Sequence, residues 1–352
     1  QATNTCIIFL FIYSGIASVL PVWILLQPRD YINSHLLIVG LALLYLGVFI
    51  ARPELDAPML RTTLDGPPIF PLLFVTIACG AISGFHGLVS SGTSSKQLDQ
   101  LSDARFVGYG GMIGEGTLAL ASTIAAVAGI SLVTQCNLPA VGNVVDLNWS
   151  VYYDSWSHAT GNKAAAFVLG GGALIESLGF SKNLATTLMA VLVISFAATT
   201  LDTATRVQRF ILSELGSVLN IKPLKNKLIA TLIAVIPAML LVFTNVSDPS
   251  TGVVKQTGWV LWPIFGASNQ MLAALILMIL TLYFWQRKKP IFPLLIPMLF
   301  LMGITIFSLI YKAKEFFGSN LLLFALDIFL IGLIIWMIIE GLVIVFNKVK
   351  KV

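Results

Sequence analysis

Long apolar stretches separated by short polar connections run along almost the whole chain. A helix needs about 20 apolar residues to cross the hydrocarbon core of a bilayer. The pattern therefore predicts an all-α, polytopic membrane protein in which residues 1–352 form a single transmembrane domain. About nine membrane-spanning helices are predicted, at 5–26, 35–50, 69–86, 108–134, 183–204, 226–244, 259–284, 291–311 and 320–346.

One further apolar segment, KAAAFVLGGGALIESLGF (163–180), does not fit the alternation of crossings. A full crossing there would reverse the orientation of every later helix. Its three consecutive glycines (170–172) and Glu176, which the pattern places in a buried position, are unusual in a simple spanning helix. We therefore expect 163–180 to be a re-entrant or interfacial half-helix on the outer side.

Lysine and arginine residues set the expected orientation, because short cytoplasmic loops carry an excess of them. They cluster in 206–227, in QRKK (286–289) and in NKVKK (347–351), whereas 135–162 has none. The C-terminus is therefore expected in the cytoplasm. Segment 206–227 suits either an amphipathic helix along the inner membrane surface or an ordinary loop helix packed on the bundle.

Composition supports the membrane assignment and excludes other classes. Hydrophobic residues make up 57% of the chain, charged residues 11%, and the mean hydropathy is +0.91, whereas soluble domains carry about 25% charged residues. The lipid bilayer is thus the first predicted partner. The net charge of +5 comes from basic helix ends, so no nucleic-acid partner is expected. Cys6, Cys79 and Cys136 lack metal-ligand spacing, and neither a metal nor another cofactor is expected.

The chain begins with Gln1 and enters a predicted span almost at once. That first apolar run is longer than the core of a signal peptide, which has roughly 7–15 residues. We therefore expect the sequence to be a fragment of a longer chain, with part of the functional site upstream.

Ionisable side chains within apolar stretches are candidate functional residues, since placing one in a bilayer costs at least about 2.5–3.5 kcal/mol. Glu115 lies in GYGGMIGEGTLALAS (108–122), where five glycines flank it. Glycines let a helix unwind, and a carboxylate beside such a break suits a proton- or cation-coupled carrier. Close helix packing through the glycines is the simpler alternative.

A second group of candidates ends the third predicted span, in GFHGLVSSGTSSKQL (84–98). Their hydroxyls can bind the oxygen atoms of a solute, and a histidine that titrates near physiological pH can carry a coupling proton. A structural histidine and a lysine that only anchors the inner end of the helix are the alternatives. The candidates are His86, Ser90, Ser91, Thr93 and Lys96.

Asp202 and Arg206 lie four residues apart in SFAATTLDTATRVQRF (195–210). A helix places both charges on one face, where they neutralise each other. We expect this pair to be a structural clamp or a cytoplasmic gate rather than a direct substrate contact.

A further interrupted helix is predicted at LWPIFGASNQMLAAL (261–275), where Asn269 and Gln270 follow Pro263. Neutral amides at membrane depth line a polar path or bind another helix. Polar, glycine-rich interruptions recur in several spans, and broken helices around a binding site are typical of secondary transporters. Asp327 is isolated, and the sequence assigns it no partner.

Several blocks resemble, in order and spacing, signature blocks of the carbon starvation protein CstA family. QPRDYINSHLL (27–37) resembles a preceding block, and the similarity runs from about residue 10 to about residue 285. Gly87 departs from the family pattern, which is expected to have a larger polar residue such as serine. The four signature blocks are GFHGLVSSGTSSKQL (84–98), GYGGMIGEGTLAL (108–120), LDTATRVQRFILSELG (201–216) and LWPIFGASNQMLAAL (261–275).

The resemblance implies a multi-pass carrier of the bacterial inner membrane that imports pyruvate or short peptides when carbon is scarce. It also implies a fold of the amino-acid/polyamine/cation transporter type, with discontinuous helices and a coupling proton or cation. Pyruvate would favour a cation such as Lys96, whereas a peptide would also need a carboxylate such as Glu115. The chain offers both groups, so both substrate classes stay open.

Other functional classes fit less well. An intramembrane enzyme is not expected, because the chain has no H-E-x-x-H or G-x-G-D motif. A channel is not expected either, because no filter-like sequence can be recognised in the chain. A nutrient sensor that keeps the carrier fold without transporting is the remaining alternative.

Overall fold

The computed structural model describes residues 2–59, 69–138, 142–155, 163–247, 254–318 and 320–349. The structure is 82% helical, which confirms the prediction of an all-α polytopic membrane protein. The helices are α1 (Ala2–Val19), α2 (Val22–Ala51), α3 (Phe74–Ala81), α4 (Gly84–Gly92), α5 (Asp103–Val127), α6 (Trp149–Tyr152), α7 (Lys163–Glu176), α8 (Lys182–Val218), α9 (Lys227–Phe243), α10 (Thr257–Val260), α11 (Trp262–Gln286), α12 (Phe292–Phe316) and α13 (Leu321–Val349).

Short irregular elements join these helices. Two antiparallel hairpins pair β1 (Gln135–Leu138) with β2 (Gly142–Val145) and β3 (Asn245–Ser247) with β4 (Val254–Gln256). A π-helical turn precedes α3, and 3-10 turns occur at three other places. These turns are Ile69–Leu73, Ser94–Lys96, Gly129–Leu132 and Lys222–Lys225.

Seven helical segments in the described ranges are long and apolar enough to cross a membrane. Three shorter apolar helices lie beside them in sequence, so the predicted number of nine crossings stays a prediction. The long segments are Val22–Ala51, Ile69–Lys96, Asp103–Val127, Lys182–Val218, Ile264–Gln286, Phe292–Phe316 and Leu321–Asn347; the short ones are Asn4–Val19, Ala164–Glu176 and Lys227–Phe243.

The first two helices divide at a different place from the one that the hydrophobic pattern predicts. That pattern joins 5–26 into one span, but α1 ends before Pro21 and α2 continues through the polar segment 27–34. Proline is favoured at a helix start and disfavoured in a helix interior, because it lacks the N–H group, although α2 also accommodates Pro28. Ser34 and His35 remain helical by bonding a backbone carbonyl of their own helix, at 2.8 Å each.

By packing, the chain divides into two compact units, of which unit 1 comprises Gln1–Gly66 and Leu98–Leu232. Helix α8 is about 55 Å long and contacts α1, α2 and α7, and α7 in turn packs on α5. Together they bury one apolar cluster, which contains Leu44, Ala121, Ala125, Leu174, Ile175, Ala185 and Met189.

Helix α7 covers most of the segment predicted to be re-entrant or interfacial. Its 14 residues span about 21 Å, less than the roughly 30 Å hydrocarbon core. The triple glycine serves packing, because a Cβ atom on Gly170 would clash with the Ala125 carbonyl. Glu176 is exposed rather than buried as expected, since it ends the helix. The membrane placement of 163–180 stays a prediction.

Unit 2 comprises Pro67–Gln97 and Ile233–Val352. Within it α11, α12 and α13 pack against one another, and α3 and α4 pack against α11. Whether the two units act as the single transmembrane domain expected from the sequence stays a prediction. The main apolar cluster of unit 2 contains Val75, Ala78, Ala273, Ala274, Met298, Leu301, Met302, Ile304, Ile334 and Met337.

Candidate functional site

In unit 2, an interruption separates α3 from α4 within one long apolar segment. Ile82 and Ser83 leave the helical conformation, with Ser83 extended at φ −92° and ψ 142°. The first N–H groups of a new helix lack partners within it. The Ser83 hydroxyl caps α4 by accepting from the backbone N–H of Phe85 at 3.1 Å.

Asn269 of α11 completes this interruption. Its Oδ1 accepts from the backbone N–H of Phe85 at 3.0 Å, and its Nδ2 donates to Ser83 Oγ at 2.9 Å and to Cys79 Sγ at 3.2 Å. The side chain is only 7% exposed. Two of the sequence blocks, 84–98 and 261–275, therefore meet at a buried polar contact.

The helix starting at Gly84 lies very close to α11. A Cβ atom on Gly84 would come within 2.6 Å of Leu272 Cβ, and one on Gly87 would clash with the Ile276 side chain. Close packing against α11 thus gives a physical reason for a small residue at position 87, where the family pattern suggested a larger one.

The other predicted residues of this segment divide into exposed and buried ones. Ser90 and Ser91 donate to carbonyls of their own helix at 3.1 and 3.3 Å. Thr93 is buried, and among the described residues its hydroxyl has no hydrogen-bond partner. The exposed residues are His86, Ser90, Ser91 and Lys96.

In α11, the interruption precedes Pro263 instead of following it. Helix α10 ends at Val260, α11 begins at Trp262, and the helix is continuous through Gln270. Proline near the first position suits a helix start. Gln270 is 0% exposed, and neither atom of its amide has a hydrogen-bond partner within the described ranges.

Glu115 lies in unit 1, on an exposed face of α5. The helix is unbroken from Asp103 to Val127, so the expected unwinding at its glycines does not occur. Open space surrounds the glycines at 108, 110, 111, 114 and 116, so close packing does not explain them either.

A charged cluster in unit 1 surrounds Asp202, which is 1% exposed. Its carboxylate forms a salt bridge with Arg29 of α2 and accepts from the Tyr13 hydroxyl of α1 at 3.3 Å. Thr203 donates to the other carboxylate oxygen at 3.3 Å. One residue of α8 thus connects both helices that flank the interruption at Pro21.

The sequence paired Asp202 with Arg206, and this expectation needs correction. Arg206 donates to the backbone carbonyls of Ala17 at 2.6 Å and Leu20 at 2.9 Å. The last carbonyls of a helix lack partners within it, and the end of α1 offers such acceptors. Asp202 remains near enough to attract Arg206 electrostatically. The role of the two residues as clamp or gate stays a prediction.

Tyr13 and Arg29 were not predicted from the sequence as members of this cluster. Arg29 gave a signal, because a charged residue follows Pro28 between two apolar runs, but the predicted spans 5–26 and 35–50 leave it in a connecting segment. Tyr13 gave no such signal, because the sequence does not distinguish one tyrosine in an apolar run from another.

Both units therefore contain a helix interruption whose free backbone groups are bonded by a side chain from a long, continuous helix. In transporters, helix interruptions of this kind lie at the solute site, where peptide dipoles face the solute. The described residues contain no group of three or more His, Cys, Asp or Glu side chains placed to hold a metal ion.

Proteins with similar sequences carry the names of transporters. The chain is 33% identical over 342 residues to a protein of Helicobacter pylori named peptide transporter CstA, covering 85% of this chain and 48% of that protein. It is 34% identical to the peptide transporter CstA of Escherichia coli, covering 79% and 45%. It is 32% identical to the pyruvate/proton symporter BtsT of Escherichia coli, covering 89% and 52%.

The chain thus spans about half the length of these relatives. No solved structure matches it. The family model described as carbon starvation protein CstA matches residues 1–308. This match confirms the resemblance seen in the sequence blocks, and the chain belongs to the carbon starvation protein CstA family.

Proposed function

We propose that this chain is part of a proton-coupled secondary transporter that imports a small nutrient, pyruvate or a short peptide. The observation that carries the proposal is the pair of interrupted helices, one held by Asn269 and the other by Asp202 and Arg206. Helices of this kind form the solute and ion sites of many carriers. The names of the relatives supply both substrate classes and the proton.

We infer that the protein lies in the bacterial inner membrane with its C-terminus in the cytoplasm. The basic segment 286–289 lies at the end of α11, and the basic segment 347–351 begins in the last turn of α13. Basic helix ends and loops face the cytoplasm. His86 and Glu115 are the proposed carriers of the coupling proton, and both are exposed.

The test is uptake of labelled pyruvate into proteoliposomes that contain the full-length natural protein, under an inward proton gradient, with dialanine as competitor. Accumulation that collapses with the gradient supports a proton-coupled carrier. Uptake of dialanine but not pyruvate assigns the peptide class. Binding of either solute without accumulation would favour the nutrient sensor.

A variant series assigns the coupling residue. Glu115→Gln should abolish uptake driven by the proton gradient, because an amide cannot carry the proton, and solute exchange at equal pH should remain. Glu176→Gln, at the exposed end of α7, is the matched control. Full gradient-driven uptake by Glu115→Gln would remove this residue from the mechanism.

A further inference from the structure

Arg209 is a buried cation that has no anionic partner among the described residues. It lies three residues beyond Arg206 on α8 and is 4% exposed. Its Cζ lies 4.4 Å from the centre of the Phe210 ring. In the described part of the chain no acceptor receives a hydrogen bond from it, and its Nε is fully shielded.

The charges around Arg209 do not balance. The buried carboxylate of Asp202 bonds Arg29 and Tyr13 and attracts Arg206. Arg209 lies beside Arg206, and these two buried guanidinium charges repel each other. The exposed Asp30 also pairs with Arg29, at 2.8 Å. Within this described cluster three arginines face two aspartates, so one positive charge is left without a counter-charge there, on the side of Arg206 and Arg209.

Neutral partners do not compensate for this excess. Arg206 donates to two backbone carbonyls, but its Nε has no acceptor among the described residues. The ring of Phe210 attracts a cation through its face and accepts none of the in-plane N–H groups of Arg209. Buried charges in proteins are normally paired and hydrogen-bonded, so an anion is the missing partner.

We propose that Arg206 and Arg209 form a binding site for the carboxylate group of the carried solute, an inference that rests on the proposed transport function. Residues three apart share one helix face. The planar guanidinium presents a fork of N–H donors that fits a carboxylate. Pyruvate and a dipeptide both carry this group, so the site serves either substrate class.

The phosphate of an anionic lipid offers the same oxyanion chemistry. Helix α8 continues beyond Arg209 with exposed apolar residues, among them Ile211 at 45% and Val218 at 81%, which would suit a lipid surface. The experiment therefore has one arm for solute and one for lipid.

The solute arm uses the full-length protein in nanodiscs of phosphatidylcholine only, and measures the binding of pyruvate, dialanine and dialaninamide, which lacks the carboxylate. Arg209→Gln should weaken the binding of pyruvate and dialanine about tenfold or more and leave dialaninamide unchanged. Arg209→Lys should restore part of the loss. Arg287→Gln, an exposed arginine of unit 2, is the matched control and should change nothing.

Unchanged pyruvate and dialanine affinities in Arg209→Gln would overturn the proposal. So would wild-type protein that binds dialaninamide as tightly as dialanine, a readout that needs no variant. The lipid arm measures how much phosphatidylglycerol stabilises the wild-type protein and Arg209→Gln. If Arg209→Gln loses this stabilisation but still binds the solutes normally, the solute site is overturned and the missing anion is a lipid phosphate. Wild-type protein without uptake contradicts the transport function itself, whereas uptake that Arg209→Gln retains contradicts only this site.

Discussion

Two buried aspartates show how differently the two units accommodate a carboxylate. Asp202 in unit 1 is 1% exposed and bonds Arg29, Tyr13 and Thr203. Asp327 in unit 2 is 0% exposed, and neither of its oxygens has a hydrogen-bond partner among the described residues. Burial alone therefore does not define the role of an intramembrane carboxylate. The partners of the carboxylate differ as well, and those of Asp202 lie on α1, α2 and α8.

The largest effect is expected from removing the partnered carboxylate. Asp202→Ala should lower the free energy of unfolding by about 3–5 kcal/mol, because Arg29 and Arg206 lose their buried counter-charge. Thermal unfolding of the purified full-length protein in detergent measures this loss. Asp30→Ala removes the exposed neighbour of Arg29 and should cost under about 1 kcal/mol. Equal losses for the two variants would show that burial of the Asp202 pair adds nothing.

A double-mutant cycle identifies the partner of Asp202. Combining Asp202→Asn with Arg29→Gln should reveal a coupling free energy of about 2 kcal/mol, because these side chains are in direct contact. The cycle with Arg206→Gln should give a smaller value, since Arg206 bonds backbone carbonyls instead. A larger coupling to Arg206 would restore the pair that the sequence suggested.

Removing Asn269 from the uncharged interruption in unit 2 should lower the free energy of unfolding less than removing Asp202 from unit 1. Asn269→Ala should lower the free energy of unfolding by about 1–3 kcal/mol, because the Phe85 N–H and the Ser83 hydroxyl lose an acceptor or donor. Ser268→Ala is the control, since that hydroxyl bonds only its own helix at 3.0 Å. Similar values for the two variants would mean that Asn269 does not hold the interruption.

The smallest effect, and of opposite sign, is expected at Asp327. Asp327→Asn should leave the free energy of unfolding unchanged or raise it by up to about 1 kcal/mol. The carboxylate has no hydrogen-bond partner among the described residues, and only the electrostatic attraction of Lys312 offsets its burial, whereas an amide is less costly to bury. Glu340→Gln, exposed on the same helix, serves as control in the same unfolding measurement. A loss above about 2 kcal/mol would reveal a partner for this carboxylate.

Local patterns in the sequence predicted the elements well and their long-range partners poorly. Asn269 was identified because an amide in an apolar helix needs a partner, and Ser83 provides one. Arg29 was missed as the partner of Asp202, because 173 residues separate them and no periodicity links two such positions. The rule for residues four apart suggested Arg206 instead, but the nearby end of α1 offered better acceptors.

The positions of the helix interruptions were also predicted only in part from the sequence. The sequence predicted an interruption at Pro263 and the residues after it, whereas the helix instead begins at Trp262, just before the proline. It predicted no break at Pro21, where α1 and α2 divide. The glycines near Glu115 suggested an interruption that does not exist, because glycine permits a break without causing one. A break also needs a side chain that bonds the free backbone groups, as Ser83 does for α4.

The two backbone contacts of Arg206 limit which amino acids position 206 tolerates. Two carbonyl oxygens, 2.6 and 2.9 Å from separate guanidinium nitrogens, need donors held in a rigid plane. A lysine ammonium keeps the charge but presents its donors from a single atom. Arginine-to-lysine exchange, often treated as neutral when protein variants are ranked, would therefore be disruptive here, and a variant library should treat this position as intolerant.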